Sequence, residues 1–158
     1  MSGHGWKQAL KNSDKELFES LTPIDNALNY LVVDLAIQNV DGYRTFYCWG
    51  EGAITNNNCN PHNFYWYQYE SKDRFELIPW DLDASFSLTP FITGMPEWND
   101  LTVNCEAAIQ NTADRTLGHP GCDPYFRMLA MHYDEQYKQT IQQFLDGPYD
   151  VSKVHADI

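Results

Sequence analysis

The sequence is poor in basic residues. Its 158 residues hold 10 Lys+Arg against 22 Asp+Glu, a formal net charge of −12. No basic stripe is available to neutralise phosphates, which argues against nucleic acid and anionic membranes as partners. No run of about eighteen apolar residues occurs, so no helix is expected to span a bilayer. The opening Met1-Ser2-Gly3-His4-Gly5-Trp6 has neither a charged n-region nor an apolar h-region, and no signal peptide is read there. CxxC spacing is absent, and with it zinc-ribbon ligation. No Ser or Cys sits in a nucleophile elbow, and there is no Gly-rich phosphate loop. There is no internal repeat. What is present is a large apolar and aromatic fraction, 43% and 15%, with ten Tyr and five Trp. That excludes a disordered acidic tail and a low-complexity segment. The length fits one domain with a real core.

The four cysteines are Cys48, Cys59, Cys105 and Cys122. Each lies in a stretch rich in Asn, Gly or Pro, whereas buried structural thiols favour apolar elements. Two sequence-local disulfides, Cys48 with Cys59 and Cys105 with Cys122, are the expectation. Oxidised loops point to an exported or cell-surface protein. The missing export signal is then reconciled if the chain is part of a longer precursor cut upstream of Met1.

Residues 6–21 read as one or two short surface helices. Thr22-Pro23-Ile24-Asp25 reads as a helix start, with Thr22 as N-cap and Pro at the first position. The helix of residues 23–38 is apolar nearly all round and is expected at the buried centre. Asp41-Gly42 marks a turn, and residues 44–62 a polar loop around the first cysteine pair. Asn63 to Tyr69 and Arg74 to Trp80 read as two strands joined at Ser71-Lys72-Asp73. Residues 84–121 are loop-rich. A helix runs from Asp123-Pro124 to Asp146-Gly147-Pro148, and Val151 to Ile158 reads as the start of another. The fold class is α+β: a mostly helical lobe with a β-hairpin presenting acids at one end.

Those acids are Asp81 and Asp83. Residues two apart on an extended segment point to one side, so both can face a single site. With Lys72 as the turn centre, Asn63 and Asp81 stand opposite each other, about 5 Å apart at Cα. An amide oxygen and two carboxylates suit Mg²⁺ or Mn²⁺ completed by water and substrate phosphate. By spacing alone, however, Asp-x-Asp is more often a solvated loop or a cap, and Asp41-Gly42 more often a plain turn. The five histidines show no ligand spacing, and His62 stands out only by its place beside Asn63. The aromatics Tyr65, Trp66, Tyr67, Tyr69 and Trp98 are more readily explained by core and sheet packing than by a binding face.

Three segments narrow the choice. Asn39-Val40-Asp41-Gly42-Tyr43, His62-Asn63-Phe64-Tyr65-Trp66-Tyr67 and Phe75-Glu76-Leu77-Ile78-Pro79-Trp80-Asp81-Leu82-Asp83-Ala84-Ser85-Phe86 resemble the CotH family. These are the spore-coat protein H type of atypical, secreted-kinase-like proteins. The tail from Asp123-Pro124-Tyr125-Phe126 through Tyr137 resembles the helix that follows the metal motif in that family. The resemblance covers the chain from about Leu17 to its end. It implies a kinase-like C-lobe, with residues 1–158 as a single C-terminal catalytic-loop and metal-site part, and with the N-terminal nucleotide-gripping lobe absent. It implies Asp41 as the catalytic-loop acid that orients or deprotonates the acceptor hydroxyl. It implies Asn63 and Asp81 as the residues that hold metal and nucleotide, and Asp83 as a second metal-site acid. The cofactors implied are Mg²⁺ or Mn²⁺ and ATP as phosphoryl donor. The implied reaction is transfer of the γ-phosphoryl group to Ser/Thr of a secreted or surface protein. The chain alone is not expected to turn over.

In one respect the chain departs from the usual pattern. Asp41 and Asn63 are 22 positions apart, far more than the few residues of an ordinary catalytic loop. A Cys48–Cys59 disulfide would close the extra loop at its base and let both ends reach one site. A non-catalytic surface or coat protein of the same family remains the alternative. A nucleotide-sugar transferase would need a Rossmann-like βα pattern, which is not found.

Overall fold

The computed structural model describes residues 4–49, 58–69, 74–86, 97–111, 116–150 and 152–153. The expected turn at 71–73, the interior of the first cysteine loop and most of the helix expected from Val151 lie outside the described residues.

Four α-helices and two small antiparallel sheets make up the described chain. The segment 6–21 is two helices, α1 (His4–Asn12) and α2 (Lys15–Leu21). Asp14 caps α2 by accepting a 3.0 Å hydrogen bond from the Leu17 amide. They are not merely superficial, because Ala9, Phe18 and Leu21 are buried. α3 (Ile24–Ala36) follows. Its N-cap is Pro23, with no side-chain cap; Thr22 instead ends α2 and is itself buried. Burial decides this. The Thr22 side chain is taken into the core between two helices and does not cap the second. Nor is α3 buried all round. Ala27, Leu28, Tyr30, Leu31, Val32 and Asp34 are buried, while Val33 is 41% exposed.

β1 (Phe46–Cys48) and β2 (Cys59–Asn60) lie where a polar loop is expected. They join β5 (Gln110–Asn111) and β6 (Thr116–Gly118) in a sheet of order β2-β1-β6-β5. Residues 42–48 are all buried. Strands of two or three residues are too short to show a period in sequence.

The two aromatic strands form as read, β3 (Phe64–Gln68) and β4 (Phe75–Pro79). Their register pairs Phe64 with Pro79 and Trp66 with Leu77. The Trp80 amide donates to the Asn63 carbonyl at 2.9 Å. So Asn63 stands opposite Trp80, one residue short of the expected partner Asp81. The register of the two strands is thus shifted by one residue from that expected with Lys72 as the turn centre. One face of the hairpin packs inward: Trp66 meets Trp6 and Tyr125, and Phe64 meets Tyr30 and Phe126. α4 (Pro124–Asp146) begins on Asp123, whose Oδ1 accepts from the Tyr125 and Phe126 amides, and it kinks at Tyr133. Leu77 of β4, α1 to α4 and Trp98 share one apolar core.

Both expected disulfides form, Cys48–Cys59 and Cys105–Cys122. Among the described residues, no helix is long and apolar enough to cross a membrane.

Candidate functional site

The site begins where α3 ends. Gln38 takes a left-handed conformation at φ 52° and turns the chain back. The Asn39 amide donates to the Asp34 carbonyl at 3.1 Å, and Asn39 Nδ2 donates to Asp34 Oδ1 at 2.8 Å. Asn39 Oδ1 then accepts from the Asp41 amide at 3.2 Å, an Asx turn that sets the backbone of Asp41. A Cβ on Gly42 would lie 2.7 Å from both Asn39 Nδ2 and Asp34 Oδ1. Only glycine lets the loop close on that buried pair. The Thr45 hydroxyl donates to the Val40 carbonyl and ties the far side of the turn.

Three side chains converge on the Asp41 carboxylate. Tyr47 Oη donates to Oδ1 at 3.1 Å, and His62 Nε2 stands 2.9 Å from the same oxygen. Asn63 Nδ2 donates to Oδ2 at 2.9 Å. A carboxylate only accepts, so His62 carries its proton on Nε2. Its ring packs on Tyr47 at a centroid distance of 4.6 Å. Tyr47 comes from β1, and His62 and Asn63 follow β2. The pairing of Cys48 with Cys59, with its disulfide, therefore brings the two distant sequence segments to one carboxylate. The separation of 22 positions between Asp41 and Asn63 is bridged by a direct hydrogen bond.

Asp81 leaves the hairpin on the opposite strand. Asn63 and Asp81 are both left-handed, at φ 61° and 53°. Each turns the chain out of the ladder next to the Asn63–Trp80 rung. The Asp83 charge beside it holds the Asp81 carboxyl above the usual range. Desolvation, a hydrogen bond with Asp83 and the Asp41 charge act in the same direction, and His62 opposes them. Asp41, Asp83 and His62 thus all act electrostatically on Asp81. The segment is anchored to α3: the Phe86 amide donates to the Ile37 carbonyl at 2.6 Å, and the Val40 amide to the Ala84 carbonyl at 3.4 Å.

Like charges that raise one another's affinity for protons also attract a cation. Asn63 gives its amide hydrogen to Asp41, which leaves its oxygen as the donor atom it can offer a metal. Two carboxylates and one amide oxygen are hard ligands, the partial set that Mg²⁺ accepts when water and phosphate complete its shell. Among the described residues, no group of three or more His, Cys, Asp and Glu is placed to hold a metal ion.

Tyr47 and the Asp34–Asn39 pair were not singled out by sequence reading, and His62 only by position. Tyr47 precedes a cysteine and faces Asn60 across the strand pair. That relation becomes visible only once β1 and β2 are known. Trp98 is 1% exposed and packs edge-on against Tyr43 and Tyr137, so it is core.

Comparison with curated proteins and with solved structures returned no match. The sequence model described as CotH kinase protein matches residues 8–158. That match spans nearly the whole chain, and the chain belongs to the CotH kinase family.

Proposed function

We propose that the chain carries the catalytic-loop and metal-holding part of an ATP-dependent protein kinase. Its reaction is transfer of the γ-phosphoryl group to a Ser or Thr hydroxyl of an exported or surface protein. The single observation that carries this reading is the Asp41–Asn63 hydrogen bond of 2.9 Å with Asp81 and Asp83 alongside. Asp41 accepts the proton of the attacking hydroxyl as the new P–O bond forms and the bond to ADP breaks. Tyr47, His62 and Asn63 aim its carboxylate, and so fix where that hydroxyl stands. Asn63, Asp81 and Asp83 are the groups that would hold Mg²⁺ or Mn²⁺. The ion supplies the positive charge that phosphate needs on a surface of net −12. The two disulfides support an exported protein.

One observation favours the non-catalytic alternative. The outward face of the hairpin is aromatic and open, with Tyr65 56% and Trp80 57% exposed. One experiment separates the readings. Mn²⁺ is titrated into the isotope-labelled chain, and amide resonances are followed for paramagnetic broadening. The kinase reading expects broadening centred on residues 41, 63 and 81–83, abolished by Asp81→Ala. In the intact protein, Asp41→Asn is expected to lower phosphotransfer by about a hundredfold or more. If Asp81→Ala leaves Mg²⁺-dependent ATP binding and phosphotransfer untouched, the assignment of Asp81 fails; an intact protein with no Mg²⁺-dependent ATP binding or phosphotransfer at all would be a binding module.

A further inference from the structure

The hairpin sheet has two edges, and they are finished differently. The Trp80 to Asn63 and Tyr69 to Arg74 backbone bonds, at 2.9 and 3.1 Å, set the phase of the ladder. With that phase, Tyr65 and Tyr67 turn their N–H and C=O groups to β4, and Phe64, Trp66 and Gln68 turn theirs away from it. On the other strand the outward positions are Phe75, Leu77 and Pro79. That edge is blunted. Pro79 has no N–H to offer, and α3 stands beside Leu77, with Asn26 of α3 donating to Glu76. The β3 edge has no such cover. The sheet ends there, and the outward N–H and C=O groups of Phe64, Trp66 and Gln68 have no hydrogen-bond partner among the described residues. Tyr65, Trp66 and Tyr67 are exposed, at 56%, 38% and 47%. The strand carries no charged residue, Pro or Gly, the usual guards of an open edge. An aromatic edge without guards is a template for one more strand. Only another extended backbone matches donors and acceptors that recur on alternate residues.

Where the edge leads identifies that strand. β3 begins beside Asn63, whose Nδ2 lies 2.9 Å from Asp41 Oδ2, and the Asp41 side chain is 34% exposed. A second copy of this chain would bring two bodies of net −12 edge to edge, and their repulsion opposes it. We propose that an extended segment of the acceptor protein adds to β3 as a third strand of the hairpin sheet. Its backbone pairs with Phe64, Trp66 and Gln68, and its alternate side chains lie beside Tyr65 and Tyr67. A strand advances about 3.4 Å per residue, so a residue or two beyond Phe64 the acceptor hydroxyl comes before Asp41. Main-chain bonds supply the affinity, and the register of the added strand selects which Ser or Thr is presented. That the segment belongs to the acceptor rests on the phosphotransfer reading; strand addition itself rests on the edge alone.

The test uses the whole chain, isotope-labelled, and the neutral probe acetyl-Ser-Thr-Val-Thr-Ile-Thr-Gln-amide. Two further versions of the probe carry N-methyl groups on alternate residues, one version for each side of the strand. The expected result is saturable shifts at the Phe64, Trp66 and Gln68 amides, with hydrogen exchange there slowed at least about tenfold. The Tyr65 and Tyr67 amides, already bonded to β4, keep their exchange rates. One N-methylated version should bind as the parent does, and the other at least about tenfold more weakly. Gln68→Pro removes one outward N–H, leaves the ladder to β4 whole, and should weaken the probe by about tenfold. Equal binding of the two N-methylated versions would mean that side chains alone hold the probe, and would overturn the proposal. So would unchanged affinity in Gln68→Pro, or no shift at the three amides with about 2 mM probe. Protection that rises with protein concentration in the absence of probe would also overturn it, because a second copy would then fill the edge. Probe binding without Mn²⁺ broadening at residues 41, 63 and 81–83 would fail the kinase reading and leave strand addition standing. Mn²⁺ broadening without probe binding would do the reverse.

Discussion

At the scale of single residues, Asp34 and Gly42 carry consequences out of proportion to their size. Burial pushes the Asp34 carboxyl up to about 7, with Asn39 and Arg44 pulling the other way. The folded chain therefore holds a proton there that the unfolded chain releases near pH 4. Between about pH 4 and 7 the native state binds more protons than the unfolded one, so stability falls as pH rises through that window. Asp34→Asn should remove its own share of this slope, on the order of 4 kcal/mol across the window, and leave the share of Asp123, whose carboxyl burial pushes up to about 6. Urea unfolding at a series of pH values reads it, and an unchanged slope in the variant would assign it to another group. Gly42→Ala should destabilise by roughly 1–3 kcal/mol, because its methyl meets the Asp34–Asn39 pair at 2.7 Å. The same variant should weaken Mn²⁺ broadening at residue 41, since the turn that aims Asp41 has to shift. The sequence singled out Asp41, Asn63, Asp81 and Asp83 through three linked segments more than through spacing, and the structure joins Asn63 to Asp41 by a hydrogen bond. Tyr47 and His62 were not, because what joins them to Asp41 is a strand pair of two rungs.

At the scale of elements, legibility follows length. α3, α4 and the 64–79 hairpin carry enough residues for a period to emerge, and their bounds agree with the reading to within a residue or two. The four-stranded sheet has strands of two and three residues and joins segments some seventy positions apart, so no local pattern announces it. The hairpin register differs by one residue from the expectation because the sequence of the two strands does not itself fix which residue stands opposite Asn63. Even so, the acids converge on the site, because left-handed Asn63 and Asp81 redirect both chain ends beyond the last rung. The Cys48–Cys59 bridge spans 11 positions. Replacing both cysteines by Ala should cost about 3 kcal/mol on loop-closure grounds. It should also weaken Mn²⁺ binding at Asn63 and Asp81, because β1 and β2 bring Tyr47, His62 and Asn63 to Asp41. Calorimetric unfolding and the Mn²⁺ titration measure the two effects separately. Intact metal affinity in the double variant would show that the sheet aligns the site without its covalent link.

At the scale of the whole molecule, the chain has one large core and one smaller satellite. The core joins the four helices, Trp98 and Leu77. Phe46, Tyr47, Cys48 and Leu117 are also buried but lie outside that cluster, in the disulfide-bearing sheet. Two bodies of unequal size open at different free energies. Reduction of both disulfides should raise amide exchange in β1, β6 and the Asp41 loop by tenfold or more, while α3 and the first half of α4 keep their protection. Hydrogen exchange with and without reductant reads this directly, and uniform loss of protection would mean that the sheet and the helices form one cooperative unit. The acid surplus and the bridges act together at this scale: a net charge of −12 resists association with other acidic macromolecules, and two disulfides fit an extracellular protein.

The open end of the hairpin has an optical consequence. Trp80 is 57% exposed, lies next to Asp81 and sits 5.5 Å from the Tyr65 ring, whereas Trp98 is 1% exposed in the core. The two indoles therefore emit from different surroundings, one wet and red-shifted, the other dry and blue-shifted. Iodide in solution reaches the first and not the second. Trp49 and Trp66 are exposed as well, so a paramagnetic ion held at Asp81 would dim the share of the red component that belongs to Trp80, with no dye or label attached.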